Sequence, residues 1–361
     1  MKKFIKAAAV FMLPVLLIIG VFFAALWRTG ELGDTKSVYE AEQNGTMTQF
    51  GFAYRDNTRA LKHEIASAKA ADLLVLSTSR GMQFRGEFFA TDSFYNAGGG
   101  IAFATQAQYF LETMPKESLP THLLLVLDQY FYNEDWANID DNRDTEPYEY
   151  TKPGTWYMLR RSMEDYLDGK YSLLSALSEK SGVYGLSAAV RGAGFYADGS
   201  YSYGAELENP ARSVDEKLAD SLNRISLSTN RFEYGDTVNA VVLERTGQLL
   251  DFCKQNNIAV TAIIPPYAPT VWRTMQQSGQ YTYIEKLGET LTQLFDGYGY
   301  EVFDYTSMDD TADAQYIDGF HGGSSVYAQI CLRLAESSQL LSSYIDTDAC
   351  NAFLQKYKAA L

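Results

Sequence analysis

The sequence predicts an α/β fold: a mostly parallel five-stranded sheet between two helical layers, a three-layer αβα sandwich, preceded by one transmembrane helix. Three observations carry this expectation. Short apolar runs alternate with helical patterns along the chain, which implies a parallel sheet covered on both sides. The runs 73–76 and, after His122, 123–127 are apolar throughout rather than alternating, as in strands buried on both faces. Residues 7–26 are a run of apolar residues interrupted only by Pro14 and Gly20, matching the about 20 residues that a bilayer crossing needs.

The elements follow in order. Lys2, Lys3 and Lys6 precede the apolar run, and Trp27 and Arg28 follow it. That flank pattern predicts an N-terminus in the cytoplasm and the rest of the chain outside it. A cleaved signal peptide is the competing reading, but the run is long for one and Ala24-Ala25-Leu26 offers no small-x-small cleavage site. Residues 1–28 are therefore expected to be a single-pass anchor and 29–55 a polar spacer. A main α/β domain is expected over 56–345, and 346–361 as a C-terminal tail. Asp56-Asn57-Thr58 is expected to cap a helix to about Ala70 with Leu61, Ile65 and Ala68 on one face. Strands are expected at 73–76, 93–96, 122–127, 258–264 and 301–305. Helices are expected near 105–114, 238–254, 283–295 (Ile284, Leu287, Leu291 and Leu294 as the stripe) and 324–341 (Val326, Ile330, Leu334). Residues 129–235 break the alternation, hold 12 of the chain's 26 tyrosines, and read as an insertion: a lid, a substrate platform or a separate small domain. There is no internal repeat.

Composition narrows the function. A formal charge of −15 argues against a nucleic-acid partner, which requires a basic face. Cys253, Cys331 and Cys350 form no CxxC pair, so neither a zinc nor a thioredoxin-like site is indicated; Cys253 and Cys331 lie in apolar helical patterns, where buried free thiols are the better reading. Asp140, Asp141 and Asp144, and Asp309, Asp310 and Asp313, lack the spacing of an EF-hand loop, so solvated loops are expected and no metal site is assigned. Gly98-Gly99-Gly100 lacks the spacing and lysine of a phosphate loop. His122, at a strand start, reads as structural and His63 as solvated.

The chemistry concentrates in two places. Ser79 stands just beyond the strand 73–76, with Ser77 as a neighbouring alternative, and Asp318 and His321 stand three residues apart before the last helix. In parallel sheets, active groups sit beyond the carboxyl ends of the strands. A serine hydroxyl needs a base to attack. His321 is suited to take its proton and Asp318 to hold the imidazole in the useful tautomer. The alternative is that Asp318 and His321 merely cap the last helix. Backbone N–H groups near Ser79-Arg80 and at the glycines 98–100 are natural oxyanion donors. Arg80 is read either as a ligand for an anionic group or as a surface ion-pair partner. The constellation calls for no cofactor.

This order and spacing resemble the SGNH (GDSL-like) hydrolase superfamily over about 72–130 and 255–342. The resemblance implies a flavodoxin-like sheet, with Ser79 as nucleophile, Gly98 as glycine oxyanion donor, and Asp318 and His321 as acid and base. With one anchor and a large exported part, the chain is most similar to the membrane-anchored branch. That branch includes the D-alanyl transfer proteins of teichoic acid modification and the alginate O-acetylation proteins. The resemblance implies an acyltransferase or esterase that acts on a surface glycan or teichoic acid beside a membrane-bound O-acyltransferase. The chain departs from the pattern where Ser77 takes the glycine position before the nucleophile. It departs again where Leu127-Asp128-Gln129-Tyr130 replaces the Gly-x-Asn-Asp block; Gln129, Asn96 or backbone groups are the candidate substitutes for the lost asparagine. A non-catalytic, glycan-binding or scaffold partner of the acyltransferase is the second reading.

Overall fold

The computed structural model describes residues 2–55, 58–137, 153–178, 180–209 and 211–357. In chain order the first elements are α1 (Lys2–Arg28), α2 (Thr35–Gln43), β1 (Gln49–Phe50), α3 (Thr58–Lys69), β2 (Leu73–Ser77), β3 (Phe94–Gly98), α4 (Gln106–Glu112), β4 (His122–Val126) and α5 (Glu134–Ala137). Next come α6 (Thr155–Leu167), α7 (Leu173–Leu177), β5 (Val183–Tyr184), α8 (Leu186–Arg191), β6 (Ala193–Tyr196), β7 (Tyr201–Tyr203) and α9 (Val214–Leu227). The chain continues with α10 (Ala240–Gln255), β8 (Ala259–Ile264), α11 (Pro269–Ser278), α12 (Thr282–Asp296), β9 (Glu301–Asp304), α13 (Ser324–Ser337) and α14 (Thr347–Lys356). The elements divide into two units. One is Met1–Asn57, Tyr150–Ala197 and Tyr201–Glu206; the other is Thr58–Glu149, Asp198–Ser200 and Leu207–Leu361.

The larger unit is built on a five-stranded, all-parallel sheet in the order β3-β2-β4-β8-β9. Its strands lie where the sequence places them, with β3 at 94–98 rather than 93–96. Leu73 to Leu76, Leu123 to Val126 and Val260 to Ile264 are buried, each Leu, Val and Ile among them worth about 1.5–3 kcal/mol when withdrawn from water. The order reverses at β2, whose neighbours are β3 and β4, so the carboxyl end of β2 opens at a switch point where parallel sheets place ligands. Ser79 follows that end directly.

Helix stripes obey the same physics. Val326, Ile330 and Leu334 of α13 are buried, and Asn239 caps α10 by accepting from the Val241 and Val242 N–H groups. In α12 the buried face runs through Ile284, Leu287, Leu291 and Phe295, so Phe295 takes the place expected for Leu294. His122 is buried, meets Thr261 Oγ1 at 3.0 Å and is pushed down to about 4 by burial. His63, expected to be solvated, is half-buried against Phe110 and meets Thr113 Oγ1 at 2.9 Å. Asp313 caps α11 through the Thr270 N–H, and Asp310 pairs with Arg333. The proposed cap at Asp56 and Asn57, and the cluster Asp140, Asp141 and Asp144, lie outside the described residues. The expected tail holds α14, capped by Asp346, with Cys350 and Phe353 buried. All three cysteines are buried free thiols.

The smaller unit replaces the expected spacer with folded structure. β1 pairs parallel with β5 and antiparallel with β6, and β6 pairs with β7, giving the order β5-β1-β6-β7. Glu31 is buried and accepts from the Ala53, Tyr54 and Leu186 N–H groups at 2.8–3.2 Å. A buried carboxylate is tolerated when its lone pairs are filled in this way. In α1, Val10–Arg28 is long and apolar enough to cross a membrane. Phe22, Ala25 and Leu26 of that stretch pack in a core with Met158, Leu159 and Ala176.

Candidate active site

The turn after β2 is shaped by Thr78 and Gly81. Thr78 Oγ1 accepts from the Arg80 N–H at 3.2 Å and donates to Asp128 Oδ2 at 2.6 Å. A side chain at Gly81 would place its Cβ 2.2 Å from Ser77 Oγ, so the turn closes tightly only around glycine. Ser77, which stands where the resembled family has glycine, is buried, and its hydroxyl donates to the Thr78 carbonyl. Ser79 is left partly exposed at the turn.

The second loop arrives before α13. The Ile317 N–H donates to the His321 carbonyl at 2.9 Å, and Tyr316 bridges to Gly322. A Cβ on Gly319 would stand 2.6 Å from Val271 and 2.7 Å from Ser221, so α11 and α9 fix the loop from behind. Asp318 Oδ1 accepts from the Phe320 and His321 N–H groups, both at 2.7 Å.

The structure brings together Ser79, His321 and Asp318, residues more than two hundred positions apart. Ser79 Oγ lies 2.9 Å from His321 Nε2, and His321 Nδ1 lies 2.8 Å from Asp318 Oδ2. The carboxylate accepts from Nδ1–H, which leaves Nε2 as the acceptor facing the serine proton. Burial works against ionisation of Asp318, but the electrostatic pull of the His321 ring and the hydrogen bonds from His321 and Phe320 outweigh it and hold the acid down to about 2. Its side chain keeps 38 % exposure, so solvent screens part of that effect.

Four other residues singled out in the sequence point into the protein. Arg80, read as an anion ligand or a surface ion pair, is fully buried. Its guanidinium pairs with Asp128 at 3.2 Å, donates to Gln129 Oε1 at 2.6 Å and to the Pro265 and Pro266 carbonyls at 3.0 and 2.7 Å. It lies between the Tyr267 and Phe320 rings, 4.5 and 4.4 Å from their centroids, a cation–π arrangement favoured where water is excluded. Gln129 is buried and donates to the Pro265 carbonyl and Thr306 Oγ1. Asn96 is buried and donates to the Gly81 and Phe84 carbonyls. The Gly98 N–H donates to Asn96 Oδ1 at 2.7 Å, so it is not aimed at an oxyanion. The Gly99 N–H is taken by the Ser77 and Thr78 carbonyls and the Gly100 N–H by Ala97.

Other contributors escape sequence reasoning. Asp128 receives both Arg80 and Thr78, and the Tyr327 hydroxyl donates to the Arg80 carbonyl, tying α13 to the serine turn. Arg231, partly exposed and with left-handed backbone at φ 77°, sits 5.3 Å from the Tyr130 ring centroid and 5.8 Å from that of Phe320, the neighbour of His321. Backbone strain of this kind concentrates at functional sites. No sequence signal marks Arg231, because it lies within the irregular stretch 129–235. Comparisons with protein-family models, curated proteins and solved structures yield no match to this chain.

Proposed function

We propose that this chain is an SGNH-type serine acyltransferase or esterase, held at the outer face of the cell membrane by α1 and acting on a surface glycan or teichoic acid. The Ser79–His321–Asp318 relay is the observation that carries this reading. The strand order β3-β2-β4-β8-β9 is that of doubly wound, flavodoxin-like sheets and supports a three-layer sandwich. In the first half-reaction, Ser79 Oγ attacks an ester carbonyl while His321 Nε2 takes its proton. The bond to the leaving alcohol then breaks as Nε2 returns that proton to the departing oxygen, leaving an acyl-serine. In the second, an acceptor hydroxyl or water gives its proton to Nε2 and attacks the acyl carbon, and Ser79 leaves with the proton.

The oxyanion is assigned to the Ser79 N–H. The amides of Arg80, Gly81, Met82, Gly98 and Gly99 already donate within the protein, and oxyanion donors must be pre-aimed N–H groups. Arg231, stacked beside the His321 loop, favours an anionic group on the substrate, in keeping with a polyanionic surface polymer. A polytopic membrane acyltransferase is the natural supplier of the acyl group.

Burst kinetics with p-nitrophenyl acetate test this reading. The account predicts release of p-nitrophenolate stoichiometric with enzyme, then slower turnover that accelerates when a hydroxylated acceptor polymer is added. The occupied Gly98 N–H favours the second reading, a non-catalytic scaffold that retains the fold. Absence of both burst and turnover from the folded chain would leave only that reading.

A further inference from the structure

We infer that α6 lies in the outer leaflet of the membrane, with lipid acyl chains filling the groove between α6 and α1. The inference rests on the reading of α1 as a bilayer-spanning helix and adds a second lipid contact to it. The apolar run 7–26 measures about 30 Å at about 1.5 Å per residue, just the thickness of the hydrocarbon core. All of it is therefore needed to span. Yet one face of the last third of α1 is covered by protein: Phe22, Ala25 and Leu26 are buried against Met158, Leu159 and Ala176. The opposite face, with Val21, Phe23 and Trp27, stays exposed. The elements that cover a membrane-embedded stretch must themselves lie at membrane depth.

α6 is built for that place. A groove of about 390 Å³ runs between the two helices, lined on the α1 side by Val15, Ile18 and Ile19. On the α6 side it is lined by Trp156, Leu159, Met163 and Leu167, with Arg160 and Glu164 also at its wall. With the core contacts of Phe22, Ala25 and Leu26, α1 faces α6 from Val15 to Leu26, so α6 stays beside the membrane-embedded stretch. Trp156 is 67 % exposed, Leu167 82 % and, in α7, Leu174 79 %, costly in water and favourable in lipid. Tryptophan and tyrosine, here Trp156 and Tyr157, concentrate at the headgroup boundary. Arg160 and Arg161 of α6 both pair with Glu164, at 3.6 and 2.8 Å, and Asp165 pairs with Lys170 at 2.7 Å. Long arginine stems of this kind lie along apolar surface while their heads reach the headgroups.

Tryptophan quenching by bromolipid tests the inference. The full-length chain is reconstituted into vesicles of phosphatidylglycerol and acyl-chain-brominated phosphatidylcholine as Trp27→Phe, Trp156→Phe and the double variant; Trp136 and Trp272 are common to all three. The inference predicts that Trp27→Phe, which retains Trp156, loses more emission to bromolipid than the double variant does. Trp156→Phe, which retains Trp27, also loses more, because Trp27 reports the anchor. If Trp156→Phe is quenched while Trp27→Phe behaves like the double variant, with its extra emission quenched by aqueous acrylamide, the inference fails and the anchor stands. A groove reserved for another protein's helix gives that same outcome. If neither single variant exceeds the double, the anchor fails and the inference with it.

Discussion

Replacing His321 with alanine is expected to lower acyl turnover by about 10⁶-fold, and replacing Asp318 with asparagine by about 10⁴-fold. The difference follows from what each group does. Without the imidazole, Ser79 Oγ loses the acceptor that stands 2.9 Å away and takes its proton. With asparagine at 318, the ring remains but its Nδ1 no longer faces a carboxylate, so the tautomer that presents a bare Nε2 is no longer selected. Steady-state kinetics with a chromogenic ester measure both losses. The fold should survive His321→Ala, because the loop is held by backbone bonds such as Ile317 N–H to the His321 carbonyl. The triple change Ser79→Ala, Asp318→Ala, His321→Ala should be no worse than His321→Ala alone, since the three groups act as one device. Losses below tenfold for His321→Ala would remove it from the reaction.

Arg80→Leu is expected to destabilise the larger unit by about 3–5 kcal/mol, because it strands the buried Asp128 carboxylate without its ion-pair partner. The guanidinium also caps the Pro265, Pro266 and Gln129 oxygens, and each orphaned acceptor adds to the penalty. Denaturant unfolding followed by emission in a background where Trp27, Trp136 and Trp156 are phenylalanine, leaving Trp272 of α11 as the reporter, reads the change. Adding Asp128→Leu should recover part of the loss, because removing both members of a buried pair is far milder than removing one. The same brace spans three parts of the site: the serine turn, the end of β8 and the ring of Phe320 beside His321. Unaltered stability in Arg80→Leu would mean that this network does not hold the site together.

These two cases mark where sequence reading succeeds and where it stops. Continuous apolar runs such as 73–76 disclose buried parallel strands, and the stripe Val326, Ile330, Leu334 discloses α13, because burial imposes those patterns directly. A serine beyond a strand and Asp-x-x-His before a helix are legible for a related reason: strand direction alone sends both to one sheet edge. Side-chain direction is not encoded in spacing. Arg80 is adjacent to Ser79 in sequence yet points into the core, and Asn96, Gln129 and Gly98 spend their hydrogen bonds inside the protein. The smaller unit is hidden because its pairing is non-local and short: Gln49 and Phe50 meet Val183 and Tyr184 over two residues each, too few to show a period. Segment 29–55 therefore looks like a spacer although Glu31, Val38 and Phe50 are buried in it.

Covalent labelling with a fluorophosphonate tests most directly the claim that Ser79 is the nucleophile. The reagent phosphonylates an activated serine oxygen and expels fluoride, and proteolysis with mass spectrometry locates the adduct. The account predicts one adduct, on the peptide containing Ser79, absent from Ser79→Ala and strongly reduced in His321→Ala. Failure to label the folded wild-type chain, or labelling that persists unchanged in Ser79→Ala, would contradict it.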